Sequence, residues 1–198
     1  MCWLGSNGVF VNISGNSINS DIDGNGSSDT IAANTAIGNE IGTDTVINFD
    51  DVIGGSGNDT IIGDGFANTL DGASGNDILV GGTGNDKLIG GAGLDTASYA
   101  IDIAGINVSL RQGSGTDGSS NTDTYDSIEN ILGSSYNDTI EGSIGNNVLD
   151  GGAGIDTVTF ENAVAGVIVN LSTTSAQDTG NDGIDKIEVK STSKSHRI

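Results

Sequence analysis

A glycine-rich pattern that repeats every nine residues constrains this chain more than any other feature of its sequence. From Gly54 the chain divides into five consecutive nonapeptides, which read GGSGNDTII, GDGFANTLD, GASGNDILV, GGTGNDKLI and GGAGLDTAS. A second block starts at Gly133 and reads GSSYNDTIE, GSIGNNVLD and GGAGIDTVT. Short repeats in phase are typical of solenoids, in which each unit packs on its neighbours. The hydrophobic fraction of 34% agrees, because compact globules usually reach about 45–50%.

Two positions of the unit carry side chains of constant character. Position six is an aspartate or asparagine, and position eight is an aliphatic residue that we expect to point inward. Glycines at positions one, two and four open backbone angles that other residues avoid, so six residues can make a tight bend with carbonyls turned inward. The last three residues then form a short strand. Two units make one coil with a strand on each side, and successive coils stack at about 4.8 Å.

The bends are expected to hold calcium. Calcium takes about six to eight oxygen ligands at roughly 2.3–2.6 Å, and two stacked bends bring their oxygens to such distances from an ion between them. One aliphatic side chain per unit offsets only part of the entropy lost on ordering the unit, and stacked aspartates repel one another when no cation separates them. We therefore expect the coil to be marginal or unfolded without metal, since an ion that binds only the folded state stabilises it.

The chain is strongly acidic, with 27 acidic against 6 basic residues and a formal net charge of −21. Nucleic acid and anionic membrane surfaces are poor partners for it, because they bind basic patches. High acidity can also serve only to keep a chain soluble or disordered. Here the acids recur at fixed spacing, which favours cations as the partners.

Cys2 is the only cysteine, so no intramolecular disulfide and no thiolate metal cluster can form. The first ten residues, MCWLGSNGVF, have no basic segment and no apolar run of signal-peptide length, and no stretch of the sequence approaches a membrane span. Secretion through an amino-terminal signal peptide is therefore not supported.

A longer repeat overlies the nonapeptides in three matching pairs of segments: 90–110 with 151–171, 8–14 with 166–172, and 44–61 with 123–140. Because the chain begins and ends inside this pattern, it reads as part of a longer polypeptide. Stretches rich in β-branched residues predict strands at 9–13, 106–110 and 167–171. The polar stretches 16–29 and 111–123 predict loops.

The sequence thus predicts five segments. They are a partial repeat with a polar loop at 1–53, a first repeat block at 54–98, connecting strands and a loop at 99–132, a second repeat block at 133–159, and a partial repeat strand with a frayed tail at 160–198. No window keeps a helical period of apolar residues. The predicted fold is all-β, a parallel β-roll or β-helix solenoid with additional short strands between the blocks.

The in-phase motifs GGSGND, GASGND, GGTGND, GGAGLD and GGAGID resemble the RTX, or hemolysin-type, calcium-binding nonapeptide repeat GGxGxDxUx. A flexible glycine-rich linker is the alternative, but linkers need no phased aliphatic residues. The resemblance implies a right-handed parallel β-roll. It also implies that one bend offers an ion its second and fourth carbonyls and its sixth side chain, while the bend two units later offers its first and third carbonyls and its own sixth side chain.

Carried onto this sequence, the resemblance implies two calcium sites on one side of the roll. The first site joins Gly55, Gly57 and Asp59 with Gly72, Ser74 and Asp77. The second site joins Ala73, Gly75 and Asp77 with Gly90, Ala92 and Asp95. We call this side of the roll the Asp77 side.

The opposite side, which we call the Asp86 side, is less regular. A third site there would use Gly81, Thr83 and Asp86, but the preceding bend departs from the pattern at Phe66 and Asn68. That departure weakens the third site.

The second block places a fourth site between Asp138 and Asp156, with Ser134 and Tyr136 standing where glycines are expected. Residues 21–29, DIDGNGSSD, also mimic the start of an EF-hand loop. Because alanine stands at position twelve of that loop in place of the bidentate glutamate, a surface turn is the preferred interpretation.

The preferred function is a calcium-binding structural module of a secreted protein, because the resemblance implies a region that stays unfolded inside the cell and folds outside it. Its partners would be calcium ions and the rest of a larger extracellular polypeptide, exported without an amino-terminal signal peptide. Two alternatives stay open, an adhesin or ice-binding surface and a non-catalytic appendage of a secreted hydrolase. Catalysis within this chain is not expected, because His196 is the only histidine and neither HExxH nor GxSxG occurs.

Overall fold

The computed structural model describes residues 49–164 without a break. Outside that range it describes 10–12, 18–20, 29–31, 35–38, 42–45, 166, 168–169, 175–178 and 183–188. Every regular element in these parts of the chain is a β-strand, so the all-β prediction is confirmed. Within the same residues, no helix has the length and apolar character needed to cross a membrane.

Short strands recur wherever positions seven to nine of the nonapeptide fall. In chain order the strands are β1 (Phe10–Asn12), β2 (Ile18–Ser20), β3 (Asp29–Ile31), β4 (Thr35–Gly38), β5 (Gly42–Thr45), β6 (Asp51–Ile53), β7 (Thr60–Ile62), β8 (Thr69–Asp71), β9 (Ile78–Val80), β10 (Lys87–Ile89), β11 (Thr96–Ser98), β12 (Asn107–Ser109), β13 (Ser114–Thr116), β14 (Thr122–Asp126), β15 (Asn130–Leu132), β16 (Thr139–Glu141), β17 (Val148–Asp150), β18 (Thr157–Thr159), β19 (Gln177–Asp178) and β20 (Ile184–Glu188).

Successive units place their strands alternately in two sheets. One sheet has the order β19-β20-β17-β15-β11-β9-β7-β1-β4-β5, and the other has the order β18-β16-β12-β13-β14-β10-β8-β6. Within the blocks, neighbouring strands are parallel and pair residues eighteen apart, as Ile61 does with Leu79 and Leu70 with Leu88. Two nonapeptides therefore make one coil, and the predicted β-roll solenoid is confirmed.

A column of aliphatic side chains from position eight forms the core between the two sheets. Seven of them are at most 3% exposed: Ile61, Leu70, Leu79, Leu88, Ala97, Ile140 and Leu149. Val158 is partly buried against the same cluster. The inward orientation predicted for position eight is confirmed. Tyr99 is also buried in this core, and Tyr125 packs against it partly exposed.

The segment between the blocks continues both sheets instead of leaving the roll. β14 pairs in parallel with β10, and β15 pairs in parallel with β11. β13 lies between β12 and β14 and is antiparallel to both, while β12 pairs in parallel with β16. An antiparallel three-stranded step therefore joins the two repeat blocks within one sheet.

The loops predicted at 111–123 and 16–29 are wrong where strands cross them. β13 and the start of β14 lie in the first stretch, and β2 with the first residue of β3 lies in the second. In the first stretch the backbone is paired by neighbouring strands while the side chains of β13 stay at least partly exposed. A polar sequence is compatible with such a strand, because pairing satisfies the backbone whatever the side chains are.

The predicted longer repeat is visible in the topology. β1 pairs in parallel with β7 and leads through antiparallel β4 to β5, as β12 pairs with β16 and leads through β13 to β14. The strands predicted at 9–13 and 106–110 are confirmed by β1 and β12. At 167–171 only residues 168 and 169 are described, and neither lies in a strand. The division of the chain into five segments stays a prediction.

Adjacent residues of β9 give a direct test of the core. Leu79 is fully buried, whereas Ile78 is 43% exposed. We expect Leu79→Ala to lower the free energy of unfolding of the calcium-saturated protein by about 2–5 kcal/mol, because it leaves a cavity in the column. Ile78→Ala is the matched control, with a change within about 0.5 kcal/mol. Equal losses in urea unfolding of the two variants would contradict the packing described.

Candidate metal centre

The side chains at position six are buried although most of them are carboxylates. Those at most 4% exposed are Asp59, Asn68, Asp77, Asp86, Asp95, Asp138 and Asn147. Asp156, at the end of the second block, is exposed. A buried carboxylate is costly unless hydrogen bonds or a cation compensate it, so each of these side chains needs identified partners.

One oxygen of each carboxylate is fixed by the backbone of the preceding coil. Asp77 Oδ1 accepts a hydrogen bond of 2.7 Å from the N–H of Asp59, and Asp95 Oδ1 accepts one of 2.8 Å from the N–H of Asp77. On the Asp86 side, Asp86 Oδ1 accepts from the N–H of Asn68 at 2.8 Å. The carboxylates on the Asp77 side therefore form a ladder along the roll, with one in each coil.

The second oxygen is left without a partner in the middle of this ladder. Asp77 Oδ2, Asp86 Oδ2 and Asp95 Oδ2 are buried and accept no hydrogen bond. A buried acceptor without a partner costs on the order of 1–3 kcal/mol, and more when it is charged. A cation held between the coils would remove this cost for each of them.

Position-one glycines show how closely the stacked bends bring their oxygens together. A Cβ on Gly54 would meet both Asp59 Oδ2 and, at 2.7 Å, the carbonyl oxygen of Gly72. A Cβ on Gly72 would likewise meet Asp77 Oδ2 and, at 2.8 Å, the carbonyl oxygen of Gly90. The position-six carboxylate of one bend and the position-one carbonyl of the bend stacked on it thus converge on one small space, and these hard oxygen donors suit calcium.

The remaining backbone oxygens of the two predicted sites lie at the contact between the same bends. The carbonyl of Gly55 accepts from the N–H of Ser74 at 3.1 Å, and the carbonyl of Ala73 accepts from the N–H of Ala92 at 2.9 Å. Each of these carbonyls keeps a second lone pair for another partner. A Cβ on Gly75 would meet the carbonyl oxygen of Gly57. The structure therefore brings the two halves of both predicted sites on the Asp77 side together.

Glycines serve different purposes at different positions of the bend. Positive φ angles occur at position two, as in Ala73 (69°) and Gly91 (96°), and at position four, as in Gly75 (135°) and Gly93 (154°). No position-one glycine among the described residues has a positive φ. The expectation that position one needs glycine for its backbone angle is therefore wrong, because glycine is needed there for space.

The third predicted site differs on the Asp86 side. Asn68 Oδ1 accepts from the N–H of Asp64 at 2.9 Å, so the bend before Gly81, Thr83 and Asp86 offers a neutral amide oxygen that is already bonded. A Cβ on Gly63 would meet both Asn68 Oδ1 and the carbonyl oxygen of Gly81, as on the Asp77 side, but here the side-chain oxygen belongs to a neutral amide. The structure stacks these residues but assembles fewer charged donors than on the Asp77 side.

Sequence reasoning missed Asp123 in the next coil on this side. Its Oδ1 accepts from the N–H of Asp86 at 3.0 Å, which is the position-six role, and its Oδ2 accepts from the Tyr99 hydroxyl at 3.0 Å. Residues 118–126, GSSNTDTYD, in fact have glycine at position one, aspartate at six and tyrosine at eight. That spacing was the available signal, hidden by the lack of glycines at positions two and four.

The fourth predicted pair is brought together, since the N–H of Asp138 donates to Asp156 Oδ1 at 3.1 Å. Both oxygens of Asp138 are already bonded, Oδ2 by the N–H of Ser134 at 2.8 Å and Oδ1 by the Ser134 hydroxyl at 2.7 Å. A serine where the pattern expects glycine thus supplies to Asp138 a hydroxyl hydrogen bond that glycine could not make. Tyr136 is about half exposed.

Among the described residues, no three histidine, cysteine, aspartate or glutamate side chains gather as metal ligands. The predicted sites do not require such a cluster, because each uses two carboxylates and several backbone carbonyls. The EF-hand-like stretch 21–29 lies outside the described residues except for Asp29 at the start of β3. Cys2 and His196 also lie outside them.

Burial changes the acidity of the stacked carboxyls. Desolvation is the largest cause and raises the pKa of Asp77 and of Asp86 to about 6, partly opposed by the backbone hydrogen bonds that each accepts. The pKa of Asp95 is raised for the same reason. Charge repulsion from Asp59 and Asp95 raises the pKa of Asp77 further. The ladder therefore resists full ionisation when no cation is bound.

Stacked glycine bends, a ladder of buried aspartates and oxygen donors converging between coils define a calcium-binding β-roll module. The family model described as the RTX calcium-binding nonapeptide repeat (4 copies) matches residues 48–77, 62–97 and 123–158. The chain therefore carries RTX calcium-binding repeats, and the resemblance seen in the sequence is confirmed. No curated protein matches the chain significantly.

Filling the space beside a position-one glycine tests the candidate sites. We expect Gly72→Ala to destabilise the calcium-saturated protein by about 1–3 kcal/mol, because its Cβ would collide with Asp77 Oδ2 and the Gly90 carbonyl. Gly65→Ala is the control, since its Cβ would have only Thr83 Oγ1 nearby, at 3.4 Å. Thermal unfolding in excess calcium measures both variants. Equal stability of Gly72→Ala and the wild type would contradict the crowding described.

The raised pKa values predict an unusual response to acid without calcium. Because the folded-state pKa of Asp77 and Asp86 is about 6, above the ordinary value of 3.8, the folded state binds more protons than the unfolded state between these limits. Stability without calcium should therefore rise as pH falls from 7 towards 5. Circular dichroism in a chelator should show a larger folded fraction at pH 5, and the rise should be smaller in the double variant Asp77→Asn, Asp86→Asn. A folded fraction that falls on acidification would disprove this.

Proposed function

We propose that this chain is a calcium-dependent structural module of a secreted protein, and that it folds when calcium occupies its stacked bends. The observation that carries the proposal is the set of three buried carboxylate oxygens without partners, on Asp77, Asp86 and Asp95. Each lies in a repeat of a calcium-binding family. The module has a structural role, and its calcium is a folding ligand, not a reactive centre.

Two sites on the Asp77 side are the best supported. The proposed ligands of the first are Gly55, Gly57, Asp59, Gly72, Ser74 and Asp77, and those of the second are Ala73, Gly75, Asp77, Gly90, Ala92 and Asp95. When bound, calcium supplies positive charge between carboxylates that otherwise repel. The chain contributes bends whose oxygens the inter-coil hydrogen bonds already hold close together. Asp77 belongs to both sites, so they are coupled.

Calcium also accounts for where the module folds. Sites of the extracellular grade have dissociation constants of about 10⁻⁴–10⁻³ M, far above the calcium concentration of a cytosol. Export as an unfolded chain and folding outside the cell follow from that difference. The parent polypeptide, an adhesive protein or a hydrolase that carries this module as an appendage, would gain a domain that forms only after secretion.

An ice-binding face is less well supported. Position seven presents a mixed row of side chains, which are Thr60, Thr69, Ile78, Lys87 and Thr96. They lie in alternate sheets, so no regular threonine array forms along these strands.

Asp77→Asn tests the proposal because it removes a ligand from both sites at once. We expect wild-type protein to gain β-structure on calcium addition, and the variant to bind two ions fewer and to need at least about tenfold more calcium, which corresponds to about 1.4 kcal/mol. Calcium titrations by circular dichroism and calorimetry measure both quantities. Asp51→Asn is the control, since Asp51 is an exposed strand residue outside the bends. Identical spectra of the wild type with and without calcium, and no heat of binding, would overturn the proposed function.

A further inference from the structure

A short bend takes the place of a full nonapeptide bend after the first repeat block. β14 ends at Asp126 and β15 begins at Asn130, so only Ser127, Ile128 and Glu129 make the turn. β15 nevertheless stacks in parallel on β11, with Asn130 paired to Thr96. This three-residue bend therefore lies directly over the GGAGLD bend on the Asp77 side. Ser127 reverses the chain with a φ of 55°.

Glu129 occupies the place of the position-six aspartate in this coil. Its Oε2 accepts a hydrogen bond of 2.8 Å from the N–H of Asp95, as Asp95 Oδ1 accepts from the N–H of Asp77. Its own N–H donates to the Asp95 carbonyl at 3.1 Å. The glutamate side chain is one methylene longer than aspartate, which lets a carboxylate reach the ladder from a shortened bend.

Ser127 supplies the carbonyl that a position-one glycine supplies elsewhere. A Cβ on Gly90 would meet the Ser127 carbonyl oxygen and, at 2.5 Å, Asp95 Oδ2. Gly54 and Gly72 likewise lie close to both a position-six carboxylate oxygen and a carbonyl oxygen of the next coil. Asp95 is fully buried and its Oδ2 has no hydrogen-bond partner, so an unpaired carboxylate oxygen points into the space beside the Ser127 carbonyl.

We propose that Asp95, Glu129 and the carbonyl of Ser127 form an additional calcium site, completed by the carbonyls of Gly91 and Gly93 on the pattern of the two sites below it. The inference rests on the proposed function, because it extends the same column of ions by one coil. The upper half of this site has no glycine-rich motif. A bend outside the nonapeptide repeat supplies that half, at the end of the column of ions. Above it, the Asn147 side-chain amide donates to the Glu129 carbonyl at 2.7 Å, and the next position-six residue is neutral.

The Asp86 side ends differently, although Asp86 Oδ2 is also buried without a partner. There the upper acid is Asp123, and its Oδ2 is taken by the buried Tyr99 hydroxyl. Tyr99 and Tyr125 hydroxyls are also hydrogen-bonded to each other. A core tyrosine thus occupies one oxygen of the upper acid on the Asp86 side.

Glu129→Gln tests the site while keeping an oxygen that can accept from the N–H of Asp95. Calorimetric titration with calcium chloride should show one ion fewer per chain than wild type, with the two sites below still filled and the same circular dichroism at saturating calcium. Glu161→Gln, an exposed acid outside the bends, should bind as many ions as wild type. An unchanged ion count and affinity in Glu129→Gln would overturn the inference. Absence of binding by the wild type would instead overturn the proposed function.

Crystals of the wild-type chain grown with calcium decide the question if Glu129→Gln does not fold. We expect an anomalous difference peak beside the Ser127 carbonyl and Asp95, in addition to the peaks between Asp59 and Asp77 and between Asp77 and Asp95. Peaks at the two lower positions with none beside Ser127 would overturn the additional site alone.

Discussion

Like charges stacked inside a narrow roll are the constraint on which the rest of this structure depends. Each coil places a carboxylate one strand spacing from the next, where water is excluded and repulsion is weakly screened. Hydrogen bonds between coils satisfy one oxygen of each group and fix its direction. On Asp77, Asp86 and Asp95 they leave the second oxygen buried and without a partner. A divalent cation between the coils reduces the repulsion and gives the second oxygen a partner. Oxygen-rich bends and aliphatic strands therefore alternate along the chain.

The column of aliphatic side chains cannot replace that cation. Each coil adds only two such side chains to the column, one from each sheet. A conventional domain gains stability from a core that widens with chain length, whereas a roll gains the same small amount with every coil. Ion binding adds a stabilising contribution at each contact between coils, so the calcium sites recur with the same period as the coils. The net charge of −21 reflects that arrangement, because the ion-binding bends are rich in aspartate.

Much of the fold could be predicted from the sequence because the period of nine fixes local geometry unit by unit. Position eight had to face inward and position six had to lie at the bend, and Leu79 and Asp77 do so. The antiparallel pairing of β13 with β12 and β14 could not be predicted, because β13 is polar and its side chains stay at least partly exposed. Asp123 was missed because its unit lacks two of the three glycines. Glu129 was missed because its bend has only three of the usual six residues. In both cases the position is set by stacking on the coil beneath, which a linear pattern does not contain. The reason for glycine at position one was also predicted wrongly. A side chain there would collide with the next coil, and the sequence of a single unit does not show that coil.

Amide hydrogen exchange across residues 54–98, with and without calcium, tests the central claim most directly. The N–H groups of Asp59 and Asp77 each donate to the carboxylate of the coil above, so their protection reports whether the ladder exists. We expect strong protection of these amides and of the strands between them in millimolar calcium, and loss of nearly all of it in a chelator at neutral pH. Equal protection in both conditions would show that the roll stands without its ions and would contradict this account.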